Sequence, residues 1–135
     1  MNGVKNLLPY IVSMKIVDCF MYSDEDMMLD IRLNILDKYV SNFIICEASF
    51  NHNGSKKKLN FDINNFSNFK NKITYLVVEK EPDDLKEINA NDNEDIKNSK
   101  ILDNALNREN HQRNFLLRGL NKFYNEDLVL INDLD

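Results

Sequence analysis

The chain has 135 residues, a length that suggests one domain, and its apolar (43%) and charged (29%) fractions are ordinary for a soluble globular protein. The net charge of −5 disfavours nucleic acid as a partner, because an acidic protein repels a phosphate backbone unless it has a local basic patch. The densest basic run, Lys56-Lys57-Lys58, is interpreted as a solvated turn.

We expect no targeting signal in the amino-terminal region. No run of about eighteen apolar residues occurs, so we expect no transmembrane segment. The apolar stretch 7–12 is short, is interrupted by Pro9 and lacks a small-residue cleavage site, so it does not resemble a signal peptide. We therefore expect a cytoplasmic protein with an N-terminal extension at 1–13 and one domain at 14–135.

The two cysteines, Cys19 and Cys46, lie inside apolar runs. This placement favours buried free thiols in a reducing compartment. A disulfide between neighbouring strands is the less favoured alternative.

The first half of the chain predicts a strand, a helix and a second strand. Residues 15–22 alternate and are rich in β-forming residues. The following acidic stretch matches a capping box, with Ser23 as the cap and Asp26 reaching back, and predicts a helix over 24–39. Residues 42–48 contain a short apolar run that is typical of a buried strand.

The second half predicts two more strands separated by a long helix. Residues 61–69 are interpreted as a short packed helix or turn, and 73–79 as the third strand. Residues 80–98 are acidic and weakly periodic, which favours a mobile loop with some helical turns. A helix is predicted over 101–123 and the fourth strand over 127–131. The predicted buried positions of that helix are Ile101, Ala105, Leu116, Leu120 and Phe123.

Strands that alternate with helices predict an α/β fold with a mostly parallel sheet covered on both faces. In such sheets ligands bind beyond the carboxyl ends of the strands. Tyr22, Glu47, Glu79 and Asp133 all fall at or near such ends, so we expect several acidic groups along one rim.

The last three residues, Asp133-Leu134-Asp135, carry two carboxylates that point the same way on an extended backbone. Such a pair can bind a hard divalent ion, and the ion can grip the diphosphate of a nucleotide sugar. The motif alone is weak, since Asp24-Glu25-Asp26 has the same spacing. It gains weight because an apolar β-rich run ends directly before it.

A second cluster of polar residues lies on the long helix, where Asn110, Arg113 and Asn114 share one face. A guanidinium suits phosphate or carboxylate groups. The alternative is a solvated face with Glu109 and Arg113 as an ordinary ion pair. The two histidines, His52 and His111, lack metal-ligand spacing, so we expect no zinc site.

Five separated segments resemble glycosyltransferase family 17 in order and spacing. They are Asp18-Cys19-Phe20 with Glu25 and Asp30-Ile31-Arg32-Leu33-Asn34-x-Leu36; Phe43-Ile44-Ile45-Cys46-Glu47-Ala48; Gly54, Lys57, Leu59 and Phe61; Arg108-Glu109-Asn110-x-Gln112-Arg113-Asn114 with Gly119-Leu120; and Leu130-Ile131-Asn132-Asp133-Leu134-Asp135. The departures are Lys56 and Lys58 where prolines are usual, Met27 where an acid is expected, and a loop at 80–98 without a clear counterpart.

The resemblance implies a GT-A-type, Rossmann-like α/β/α sandwich. It implies an inverting, metal-dependent transfer of N-acetylglucosamine from UDP-N-acetylglucosamine to a glycan acceptor, as in a β-1,4-mannosyl-glycoprotein 4-β-N-acetylglucosaminyltransferase. Mn²⁺ or Mg²⁺ would bind at Asp133 and Asp135. By position, Glu47 would accept hydrogen bonds from the uracil or ribose, and Arg113 and Asn114 would hold the diphosphate or order the metal loop.

Family members continue past the Asp-x-Asp motif, so the resemblance covers an N-terminal, donor-binding half. The catalytic base is expected in the C-terminal part, and a complementary C-terminal fragment is a candidate partner. Two alternatives remain open at this point. One is a non-catalytic remnant that binds nucleotide sugar, and the other is a small interaction module whose Asp-x-Asp is incidental.

Overall fold

The computed structural model describes residues 13–134. The interpretations that concern residues 1–12 and Asp135 lie outside these described residues. The strands are β1 (Ile16–Met21), β2 (Asn42–Ala48), β3 (Ile73–Val78) and β4 (Leu128–Asn132). The helices are α1 (Asp26–Leu36) and α2 (Glu94–Phe115), with two 3₁₀ segments at Ile63–Phe69 and Leu116–Leu120.

The four strands form one parallel sheet in the order β3-β2-β1-β4. Each connection contains helical structure: α1 joins β1 to β2, the first 3₁₀ segment joins β2 to β3, and α2 with the second 3₁₀ segment joins β3 to β4. Parallel strands require such crossovers. The predicted α/β fold with a parallel, Rossmann-like sheet is therefore confirmed.

The central strands β1 and β2 are buried on both faces, because their apolar side chains alternate between two clusters, whereas the edge strand β4 is largely exposed and the expected cover on both faces does not extend to it. One cluster lies between the sheet and α1 with the first 3₁₀ segment; among its members are Phe20, Phe43, Ile45, Leu29, Leu33 and Phe66. The other lies under the end of α2 and the second 3₁₀ segment, and it includes Val17, Cys19, Ile44, Cys46 and Leu116. The helical layers thus cover opposite faces of the sheet.

The order of the strands creates a switch point. From β1 the chain steps outward to β2 and then to β3, whereas β4 returns to the opposite side of β1. Connections on the two sides of β1 lie on opposite faces, so a crevice opens beyond the carboxyl ends of β1 and β4. Open α/β sheets bind their ligands in a crevice of this kind.

The predicted capping box at the start of α1 is wrong. The helix begins at Asp26, and the side chain of Glu25 accepts hydrogen bonds from the backbone N–H groups of Ser23 (2.9 Å) and Asp24 (3.1 Å). Asp26 does not reach back to Ser23, because its carboxylate accepts a hydrogen bond from the hydroxyl of Tyr22. This contact ties the end of β1 to the first turn of α1.

The long helix starts earlier than predicted. Asn93 caps α2 by accepting a hydrogen bond from the N–H of Ile96 at 2.9 Å. Two acidic residues in the first turn stabilise the helix through their interaction with its dipole. Ile101 is 51% exposed, so its predicted burial is wrong. The buried residues of α2 are polar, Asn104 and Gln112.

Asn104 also explains why the preceding loop is held against α2. Its side chain accepts a hydrogen bond from the N–H of Lys86 at 2.7 Å and donates one to the carbonyl of Lys86 at 2.8 Å. A buried amide must be paired in this way to offset its desolvation. The predicted mobile loop 80–98 is thus anchored near its middle. Its last residues, from position 94 onward, belong to α2.

Candidate functional site

A cleft of about 430 Å³ opens at the switch point. Three parts of the chain line it: residues that follow β1, the loop that follows β2, and the residues that follow β4. They include Tyr22 and Ser23, Asn51, His52 and Lys57, and Asp133 and Leu134, with Gln112 from α2. The cleft therefore lies where parallel α/β sheets bind their ligands.

The segment after β4 alternates between solvent and core. The side chain of Asp133 is 65% exposed at the rim of the cleft. Leu134 is buried and joins the core cluster of Phe20 and Leu29. Asp135 lies beyond the described residues. One carboxylate of the predicted metal pair thus stands at the rim, and the buried leucine beside it anchors the backbone.

Arg113 and Asp133 are brought together, although twenty residues separate them. A terminal guanidinium nitrogen of Arg113 lies 3.1 Å from a carboxylate oxygen of Asp133. The same nitrogen lies 3.0 Å from Glu109, which is the helical ion pair that the sequence offered as the alternative. The contact with Glu109 matches the alternative interpretation of Arg113, and the predicted role of Arg113 toward a diphosphate stays a prediction. Asn114 is exposed and does not line the cleft.

Glu47 is fully buried, and both of its carboxylate oxygens are engaged. One oxygen accepts hydrogen bonds from the Lys57 ammonium (2.6 Å) and the Asn60 N–H (2.8 Å). The other accepts from the Phe61 N–H (3.1 Å) and the Tyr75 hydroxyl (2.8 Å). These donors use the roughly four acceptor positions of a carboxylate. The geometry favours a structural role, in which Glu47 anchors the segment 57–61 to the sheet, over direct contact with a nucleotide.

Two tyrosines that donate hydrogen bonds to carboxylates at the site, Tyr22 and Tyr75, are held in their neutral form. Burial, followed by the hydrogen bond to Asp26, raises the pKa of Tyr22 well above its ordinary value. Burial and the hydrogen bond to Glu47 do the same for the pKa of Tyr75. Both hydroxyls therefore act as hydrogen-bond donors at neutral pH.

The loop after β2 is also held from the side of α2. The Arg108 guanidinium donates to the carbonyl of His52 at 3.1 Å and forms an ion pair with Glu81. Gly54 makes room for this guanidinium: its φ is +87°, and an added Cβ would lie 2.6 Å from a terminal nitrogen of Arg108. A loop fixed at both ends presents His52 and Lys57 to the cleft in defined positions.

Sequence reasoning named Arg32 of α1 only within the family resemblance and gave it no role at the site. Its guanidinium pairs with the buried Asp18 at 2.8 Å and reaches the backbone that follows β4. The signal was present, because the chain has four arginines among many lysines, and Arg32 lies beside Leu29 and Leu33 on the face of α1 that meets the sheet. A charged residue on an inward face usually has a buried partner.

The described residues contain no cluster of three or more His, Cys, Asp or Glu side chains placed to hold a metal ion. Asp133 is nonetheless chemically suited to Mn²⁺ or Mg²⁺, which prefer oxygen ligands. Mg²⁺ in phosphate-binding sites usually takes only one or two carboxylates and completes its shell with water and phosphate oxygens. A single carboxylate at the rim of the cleft fits that pattern.

Parallel strands, helices on both faces and a switch-point cleft define a Rossmann-like α/β protein with a cleft at its carboxyl rim. A comparison with protein families matches residues 7–135 to glycosyltransferase family 17. The chain belongs to this family, and the resemblance inferred from the five sequence segments is confirmed. Comparisons with curated proteins and with solved structures gave no significant match. Within residues 13–134, no helix is long and apolar enough to cross a membrane.

Proposed function

We propose that this glycosyltransferase binds UDP-N-acetylglucosamine in the switch-point cleft and serves its transfer, with inversion, to a glycan acceptor. The observation that carries the proposal is the position of Asp133, which stands at the rim of that cleft beside Arg113. The GT-A type of the fold and the choice of this donor are part of the proposal and rest on membership of the family.

Asp133 and Asp135 would hold Mn²⁺ or Mg²⁺. Such an ion, when bound, neutralises charge on the diphosphate that leaves during sugar transfer. The role of the chain is to keep the carboxylate of Asp133 at the rim, which the buried Leu134 achieves by fixing the adjacent backbone. An exposed carboxylate on a fixed backbone can bind a cation with little reorganisation.

Arg113 would bind a phosphate oxygen. Its guanidinium already lies within ion-pair distance of Asp133 and Glu109, so it has a fixed place at the edge of the cleft. A planar guanidinium can keep one of these carboxylates and offer its remaining N–H groups to a phosphate. Asn114 stays a prediction, and replacing it by alanine in the assay below tests it.

Glu47 would act on the nucleotide indirectly. Through Lys57 and the N–H groups of Asn60 and Phe61 it holds one end of the loop that lines the cleft. We therefore propose that Glu47 shapes the nucleotide pocket and does not itself bind the uracil or ribose.

Isothermal titration of the full chain with UDP-N-acetylglucosamine, with and without Mn²⁺, tests the proposal. We expect binding that requires Mn²⁺ and is lost in Asp133→Asn. The matched control is Asp24→Asn, which alters the other Asp-x-Asp sequence at an exposed position that does not line the cleft. Binding that is independent of Mn²⁺, or equal loss in both variants, would contradict the proposed site.

A further inference from the structure

We propose that Arg32 is a positioning residue that fixes the metal-binding segment to the sheet through the buried carboxylate of Asp18. This inference rests on the proposed function, because it concerns the placement of Asp133 as a cation ligand. It adds a residue pair from β1 and α1 to a site that also contains residues of α2 and residues beyond the strand ends.

The pair itself is well defined. The Nε of Arg32 donates to one carboxylate oxygen of Asp18 at 2.8 Å, and an Nη donates to the other at 2.9 Å. Asp18 is fully buried in the middle of β1, on the face that α1 covers. A charge buried to this degree is retained only with a good partner, and the two-point contact of a guanidinium supplies one.

The second Nη of Arg32 reaches across to the end of β4. It donates to the carbonyl oxygens of Asp133 at 3.0 Å and Leu134 at 3.1 Å. The register of β1 with β4 ends at the pair Phe20–Asn132, so these two carbonyls belong to the first residues beyond the ladder. Arg32 therefore fixes the backbone where the sheet stops doing so.

Two further contacts restrict the pair. The guanidinium lies over the ring of Phe20, 4.9 Å from its centre. The side-chain amide of Asn132 approaches, at 3.5 Å, the Asp18 oxygen that accepts from the Nη of Arg32. Four N–H groups of one planar cation thus join β1 to the segment after β4. A lysine ammonium is a point charge and cannot reproduce this geometry.

The consequence concerns the cation more than the stability of the fold. Residues that orient metal ligands affect metal affinity about 10–100-fold when they are replaced. Arg32 holds the backbone of Asp133. Replacing Arg32 should therefore let the Asp133 carboxylate move away from the position at which it would bind a cation together with a diphosphate.

The test measures Mn²⁺ affinity in the presence of UDP, by the loss of the electron paramagnetic resonance signal of free Mn²⁺. Arg32→Lys keeps the charge and should weaken Mn²⁺ binding about 10–100-fold. Arg118→Lys is the matched control, because this arginine is exposed, does not line the cleft and lies over the ring of Phe115. Phe69→Ala controls for a general loss of stability. It removes a buried ring just before the amino end of β3, whereas the cleft lies at the carboxyl ends of the strands.

A second variant covers a failure of Arg32→Lys to fold. Asp18→Asn combined with Arg32→Gln removes both charges together and should show the same loss of Mn²⁺ affinity. Unchanged affinity in a folded variant overturns the inference and leaves the proposed function standing. Absence of UDP-dependent Mn²⁺ binding in the unaltered chain overturns both. An equal loss in Phe69→Ala would also contradict a specific positioning role.

Discussion

Two buried carboxylates, Asp18 and Glu47, lie on the same face of the sheet and have similar surroundings. Each is fully buried and paired with a single cation, Arg32 and Lys57 respectively. Each also connects the sheet to backbone that lines the cleft, at 133–134 and at 57–61. At the scale of single residues, each buried ion pair thus joins a strand of the sheet to backbone at the cleft.

Replacing Glu47 by glutamine should destabilise the fold. The new amide would place N–H groups where Lys57 and Asn60 donate, leaving buried donors unpaired at a cost of about 1–3 kcal/mol. Urea denaturation measures the change in the free energy of unfolding. Glu79→Gln, the same exchange at an exposed position after the neighbouring strand, should change it by less than about 0.5 kcal/mol. Equal effects at both positions would argue against the anchoring role.

Both cysteines are buried free thiols, as the sequence predicted. Burial, with a smaller contribution from the neighbouring carboxylate, raises the pKa of each thiol from 9.0 to about 12. The native protein should therefore react slowly with a thiol reagent at pH 8, at a rate limited by opening, whereas the denatured chain should react at both sites at once. Fast reaction of the native protein would contradict this burial.

The same shift predicts a pH dependence. Above pH about 9 the unfolded chain releases its thiol protons while the native protein retains them, so stability should fall between pH 9 and 12. Below pH 9 the thiols are neutral in both states, and this contribution to stability is fully present. Replacing Cys19 and Cys46 by alanine should remove that part of the slope in denaturation measured across this pH range.

At the scale of elements, the sequence predicted strands better than helix ends. The apolar runs of β2 and β3 were recognised with bounds within one residue, because continuous apolar runs are typical of the strands of a parallel sheet. The start of α2 was missed, since its buried residues Asn104 and Gln112 are polar and give no apolar periodicity. These two side chains can be buried because Lys86 of the loop and Cys46 of β2 supply hydrogen-bond partners for Asn104 and Gln112 respectively.

The contact of the second 3₁₀ segment with β2 yields a prediction at this scale. An added Cβ on Gly119 would lie 2.7 Å from the Cγ2 of Ile44, so Gly119→Ala should overpack this contact and cost about 1–3 kcal/mol. Denaturation of the single and double variants forms a thermodynamic cycle. The cost of Gly119→Ala should shrink in the Ile44→Ala background, which vacates the space. Additive effects would mean that Gly119 has another role.

At the scale of the whole molecule, the sequence predicted the fold class but not the strand order. Alternating elements indicate a parallel sheet, yet nothing in a local pattern states that β4 pairs with β1 and not with β3. That order creates the switch point and brings Asp133 and Tyr22 to the same cleft. The contact of Arg113 with Asp133, and that of Arg32 with Asp18 and with the backbone carbonyl of Asp133, follow from packing across the sheet and were therefore beyond local reasoning.

The candidate site was predicted in part for the same reason. Asp133 was identified because a carboxylate directly after an apolar strand falls at the ligand-binding rim. Glu47 also follows from a strand end, but its burial and its four donors depend on the loop that folds back over it. Position along a strand thus locates a residue at the rim, whereas its neighbours decide whether it faces the ligand or the core.

Paramagnetic broadening by Mn²⁺ tests the central claim most directly. In ¹⁵N-labelled protein with UDP, substoichiometric Mn²⁺ should broaden the amide signals of residues that line the cleft, such as Tyr22, Asn51 and Gln112. Signals at the amino ends of the strands, such as Asn42 and Ile73, should stay sharp. Asp133→Asn should abolish the effect. Broadening centred on the acidic loop 80–93, or spread evenly over the chain, would contradict a cation site at the switch-point cleft.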